Sequence, residues 1–148
     1  MKKILLVIAF ITGVMSSASA QSAYIEDTWI EHNVYYGGYN CMCVHMELSV
    51  EDWEGRSVNM AAYIFDAYGN KVAAPYGAPG AYRAVDGQLC VGVNVAVKYE
   101  SAYWEDAKLY LPYSMLRPGE YQCSVQVSTT SGITLDYSSS EYFTVGGY

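Results

Sequence analysis

Between Asn40 and Val50 the chain reads NCMCVHMELSV, which places two cysteines, two methionines and a histidine within six residues. Thiolates, thioethers and imidazole are the donors that soft and borderline metal ions take. Coordination needs those donors to converge, and the local pattern bears on that directly. Met42, Val44, Met46, Leu48 and Val50 alternate with Cys41, Cys43, His45, Glu47 and Ser49, the period of a β-strand with two unlike sides. Residues two apart on such a strand share a side and lie about 6.5–7 Å apart at Cα. The cluster therefore splits, with Met42 and Met46 on the apolar side and Cys41, Cys43 and His45 in a row on the other. That row could hold one copper or zinc ion only with a fourth donor from a neighbouring strand, for which Cys90 is the candidate.

The even count of four cysteines in a chain with an export leader points to disulfides rather than to metal, so no metal and no cofactor are expected. A bridge between Cys41 and Cys43 would be badly strained. Cys90 stands opposite the valines of its own segment and has the parity of Cys41 and Cys43. The expected bridge joins one of those two to Cys90, leaving Cys123 buried and reduced.

The leader is residues 1–20: Lys2 and Lys3, an apolar run from Ile4 to Val14, then Ala18, Ser19 and Ala20 before Gln21. This is the pattern of a cleavable export signal. Its apolar run is shorter than the roughly twenty residues of a membrane span, and no second such run follows. The expected mature chain starts at Gln21, is secreted or periplasmic, and has no integral membrane segment. The whole chain carries net charge −7; without Lys2 and Lys3, six basic residues face fifteen acidic ones, a net charge of −9. Such a surface repels phosphate backbones, so nucleic acid is not an expected partner.

A second constellation is VKYESAYWEDAK, Val97 to Lys108, which crowds Tyr99, Tyr103 and Trp104 beside Glu100, Glu105 and Asp106. Rings that stack on sugar faces and carboxylates that accept from hydroxyls would make Tyr99, Tyr103 and Trp104 a carbohydrate or protein contact surface; as plain structure, they cap the end of the fold. Catalytic equipment is sparse. His32 and His45 lie in strand-like segments with no nucleophile motif beside them. The stretch Tyr36 to Tyr39 has two glycines but lacks the lysine and helix of a phosphate loop, and reads as a flexible connection. Glu51 and Asp52, or Glu105 and Asp106, point apart on a strand. A non-enzymatic binding or structural role follows, with a protein or glycan partner.

The elements that position these residues are strands. Thr28 to Val34 opens the series; Val58, Met60, Ala62 and Ile64 alternate before a turn at Gly69 and Asn70. Leu89 to Val97 alternates again, Lys108 to Leu111 is a short strand stopped by Pro112, Tyr121 to Val127 follows, and Ile133 to Val145 makes one last strand or two short ones. Sixteen tyrosines against three phenylalanines suit a β-rich exported fold. Seven or eight strands in a single domain, about residues 24–146, predict an all-β, two-layer antiparallel sandwich.

Two stretches carry a family likeness. Leu116 to Cys123 (LRPGEYQC) resembles the corner leading into the sixth strand of immunoglobulin-like domains, where a tyrosine two residues before a buried position bonds back to the backbone. The order NCMCVHMELSV, then Tyr82 and Arg83, then Asp86 to Gln88, then YESAYWEDAKLYLPYSML is similar to an Ig-like β-sandwich domain of bacterial secreted and multidomain proteins. Its most distinctive part is the step Pro112-Tyr113. The resemblance covers about Met42 to Val127 and implies an Ig-like fold and an accessory role. Antibody-type domains differ in placing a core tryptophan in the third strand, whereas Trp53 here falls in a turn-like segment.

Overall fold

The computed structural model describes residues 21–146; the leader lies outside the described residues. Eight strands run in the order β1 (Ser22–Tyr36), β2 (Tyr39–Glu51), β3 (Ser57–Asp66), β4 (Cys90–Ala96), β5 (Ser101–Pro112), β6 (Gly119–Thr129), β7 (Thr134–Tyr137) and β8 (Glu141–Val145). They form two antiparallel sheets, one of three strands ordered β1-β2-β5 and one of five ordered β4-β3-β6-β7, with β8 also paired to β6. The all-β sandwich expected from the alternation is the fold. Among the described residues no helix is long and apolar enough to cross a membrane.

Period-two apolar residues supply the core. Met42, Val44, Met46, Leu48 and Val50 from β2 meet Val58, Met60, Ala62 and Ile64 from β3 and Cys123, Val125 and Val127 from β6 in one buried cluster. Non-directional burial of this apolar area is the main force holding the sheets together. Trp53 joins the cluster from the connection between β2 and β3, fully buried, with its indole N–H donated to the Ser22 carbonyl at 2.8 Å. A residue of the connection thus fills a core position.

Turn chemistry sets the registers. Tyr36 pairs with Tyr39, and Gly37 and Gly38 between them both have positive φ, 61° and 86°, as a two-residue turn of the primed kind requires. The expected flexible connection is therefore a tight hairpin. At the next predicted turn the Asp66 carboxylate accepts from the backbone N–H groups of Tyr68 and Asn70, both at 2.9 Å. The expected corner is also present: the Tyr121 hydroxyl donates to the Arg117 carbonyl at 2.6 Å.

Two strands extend well beyond the lengths that alternation indicated, for one reason. β1 carries register shifts between Ile25 and Asp27 and between Glu31 and Val34. In β5 the partners pass from Ala107, opposite Met46, to Trp104, opposite Leu48, leaving Glu105 and Asp106 against Glu47. A bulge puts one extra residue on one strand and inverts the parity beyond it. In β5 the inward set is Leu109 and Leu111 on one side of the bulge and Trp104 and Ala102 on the other. Simple alternation stops there although the strand continues.

Candidate functional site

The row of Cys41, Cys43 and His45 lies on the side of β2 turned away from the core, and the apolar residues between them are all in it. The split predicted for the sulfur cluster is what the fold contains. Those outward residues are nevertheless dry: Cys41 and Cys43 are 1% exposed and His45 is 5% exposed. Side chains from the flanking strands cover them. Trp29, directly across from His45 on β1, stacks on its ring with centroids 4.9 Å apart and planes 7° from parallel. Tyr36 of β1 and Tyr110 of β5 stack at 3.9 Å; because β2 runs between those strands, the pair arches over its outward side near Cys41 and Cys43.

Charged groups complete the enclosure. His45 Nδ1 lies 2.6 Å from Asp106 Oδ1, and Nε2 lies 3.0 Å from Glu31 Oε1. Lys108 approaches the second Asp106 oxygen at 3.7 Å. The β5 bulge delivers Asp106 to this place, since it lets two successive carboxylates stand opposite Glu47. Burial above all, and then the Glu31 carboxylate, pushes the Cys43 thiol up to about 11.

Cysteine, histidine and aspartate in sequence are the types of a nucleophile, base and orienting acid. Here the imidazole is held between two carboxylates, and the thiol is raised, where a reactive thiol is lowered.

The cysteines form no bridge: Cys41, Cys43, Cys90 and Cys123 are all free and buried. The expected link from Cys41 or Cys43 to Cys90 fails because equal parity was read as a shared surface. Cys90 pairs with Tyr63 on β3, in the five-stranded sheet, and lies outside the core cluster, as do Cys41 and Cys43. The whole core separates the two positions. The same separation removes Cys90 as a fourth metal donor for the row. Cys41 in turn directs its Sγ to the hairpin carbonyls of Tyr39 and Tyr36, at 3.5 and 4.0 Å. Cys123 is in the core, free as expected, and burial pushes it up to about 12.

The predicted aromatic patch is dispersed. Tyr99 precedes β5 and is 74% exposed. Tyr103 points outward, its hydroxyl on the Glu47 carboxylate, a hydrogen bond that favours the neutral phenol and pushes it up to about 12. Trp104 points the other way and packs on the core. Tyr103 and Trp104 therefore do not form one platform. Tyr103 belongs with Tyr24, which faces it across Ser49.

Sequence reading missed the breadth of this outward side. Strands β1, β2 and β5 carry Glu26, Asp27, Glu31, Glu47, Glu51, Glu105 and Asp106 against Lys108 as their sole lysine or arginine. Interleaved with them stand Tyr24, Trp29, Tyr36, Tyr103 and Tyr110. Counting acids against bases by strand would have shown the imbalance, but grouping those strands required the sheet order.

A second feature lies at the hairpin end, where His32, Asn33, Asn40, Tyr113 and Thr144 line a cleft of about 420 Å³. The Tyr113 hydroxyl meets His32 Nδ1 at 2.6 Å and accepts the Asn33 N–H at 3.2 Å. Asn33 sits in the β1 bulge with φ 59°. The Pro112-Tyr113 step thus anchors the irregular end of β1.

No family model matches the chain, and no curated protein matches it. Among solved structures it is similar to wild-type OgpA from Akkermansia muciniphila, at 13% identity and a TM-score of 0.38. The match covers 84% of this chain and 28% of that one.

Proposed function

We propose that the chain is an exported, non-enzymatic binding module of Ig-like type, and that it recognises a protein with a basic surface through the outward side of β1, β2 and β5. One observation carries this reading: seven carboxylates and a single lysine share those three strands with five outward aromatic rings. Rigid rings give contact area at low entropic cost. A field of one sign steers an oppositely charged partner and rejects others. The leader supports export, and the strand order together with the Tyr121 corner supports the Ig-like assignment. The absence of enzymatic activity is inferred from an imidazole already engaged by two carboxylates beside a thiol whose ionisation is suppressed.

The test uses the immobilised chain as bait for envelope and extracellular proteins, with each captured protein then purified and its affinity measured at low and high salt. The expected partner is basic, and its binding weakens steeply with salt. Binding should be lost in a Tyr24→Ala, Tyr36→Ala, Tyr103→Ala variant and kept in Tyr142→Ala, an exposed ring of the other sheet. Affinity that survives the triple variant overturns the reading. Glycan binding that is insensitive to salt but lost with Tyr103→Ala would replace the protein partner with a carbohydrate.

A further inference from the structure

Glu31, Cys43 and His45 each offer one donor atom, and the three donors lie within 4.8 Å of one another. They come from two neighbouring strands: Glu31 pairs directly with Cys43 across the β1–β2 ladder, and His45 is two residues along from Cys43. Bond lengths of about 2.0–2.3 Å around a tetrahedral zinc ion put its donors roughly 3.3–3.8 Å apart. The donors lie within 4.8 Å of one another, so reaching that geometry takes shifts of roughly 1–1.5 Å at most, which the largely exposed Glu31 side chain can make. Glutamate, thiolate and imidazole are moreover a donor set that zinc uses.

The histidine is already oriented for this role. With Asp106 on Nδ1, the nitrogen left facing Glu31 and Cys43 is Nε2. A carboxylate on the far nitrogen of a ligating histidine fixes its tautomer and ring plane, the arrangement that recurs behind metal-bound imidazoles. Nε2 and Glu31 Oε1 stand 3.0 Å apart, so the imidazole nitrogen and the carboxylate already face one another across the site. Trp29 stacked on the ring adds rigidity and keeps bulk water off one side.

We propose that Glu31, Cys43 and His45 Nε2 form a three-donor site for zinc or a similar borderline divalent ion. Asp106 holds His45 in place through the far ring nitrogen, Nδ1, and the fourth position is open to water or an external ligand. The row first suggested by the sequence, Cys41, Cys43 and His45, is replaced at one position, because Cys41 turns to the hairpin while Glu31 arrives from the neighbouring strand. The site stands independently of the partner proposed above.

The experiment titrates the purified, reduced chain with Zn2+ by calorimetry and with Co2+ by absorption, since cobalt bound to thiolate gives an intense near-ultraviolet charge-transfer band. One equivalent is expected to bind, tighter than about 1 µM for Zn2+, with that band present. Cys43→Ser should abolish the band, and Glu31→Gln should weaken binding at least tenfold. Asp106→Asn should weaken it about 10- to 100-fold while leaving the band in place, a combination that a purely structural aspartate would not produce. Cys41→Ser should change neither readout. Circular dichroism identifies any variant that fails to fold, and Glu31→Gln, altered at an exposed group, keeps the test decisive if Cys43→Ser is lost. Failure to bind either ion, or a band that survives Cys43→Ser, overturns the site.

Discussion

Met46 and His45 are neighbours on β2 and both are shut away from water, yet different partners exclude it. On the inward side the five-stranded sheet covers Met46, and burial is a property of the two-layer architecture. On the outward side no second layer lies over His45. Water is kept off the ring by Trp29 and by carboxylates on both ring nitrogens, and off the neighbouring Cys43 by the Tyr36–Tyr110 arch. Burial alone therefore does not identify a core residue. The inward side is held by apolar area; the outward side is held by a few specific contacts, each removable by one substitution.

The largest expected effect lies inward. Met46→Ala should cost about 2–5 kcal/mol in denaturant unfolding, since it leaves a cavity between the sheets. A loss no greater than that of an outward substitution would erase the distinction between the two sides. Next comes Tyr36→Ala, which should cost about 1 kcal/mol for the lost ring pair and, more tellingly, open Cys43 to alkylation in the native state. In the parent chain Cys43, raised to about 11 from an ordinary value of 9.0, should stay unreactive near neutral pH until the protein unfolds.

The same shift has a sign in stability. The folded chain holds that proton to higher pH than the unfolded chain does, so stability should be level below about pH 9 and fall as pH rises from there through 11. Melting curves across that window, with Cys43→Ser flatter than the parent, would check it. A smaller effect is expected from Glu31→Gln in the metal-free protein: under about 1 kcal/mol, because its carboxylate is largely exposed to solvent and screened. Least of all, Glu47→Gln should leave stability unchanged while lowering the Tyr103 titration from about 12 toward 10.0, read by ultraviolet titration of the phenol.

Much of the fold was legible because alternation acts locally. The sides taken by Met42 to Val50 and the turn at Gly69 follow from neighbouring residues, the corner at Tyr121 from the resemblance of Leu116 to Cys123 to immunoglobulin-like domains, and all are present. The ends of β1 and β5 were not legible, since their bulges interrupt the pattern that reveals a strand. Trp53 was read as a turn residue, which it is; that a turn folds its ring into the core is a matter of packing. Tyr103 and Trp104 looked like one patch because they are adjacent in sequence, and on a strand adjacency means opposite sides.

Sequence by itself determined which way each side chain of β2 points, and with it the separation of the methionines from the cysteines and histidine. It did so because a strand's geometry repeats every two residues whatever it pairs with. Only the tertiary structure decided which strands share a sheet. Pairing between distant segments put Cys90 across the core from Cys43 and brought Glu31 and Asp106, 14 and 61 residues from His45 in the chain, onto the two nitrogens of one ring.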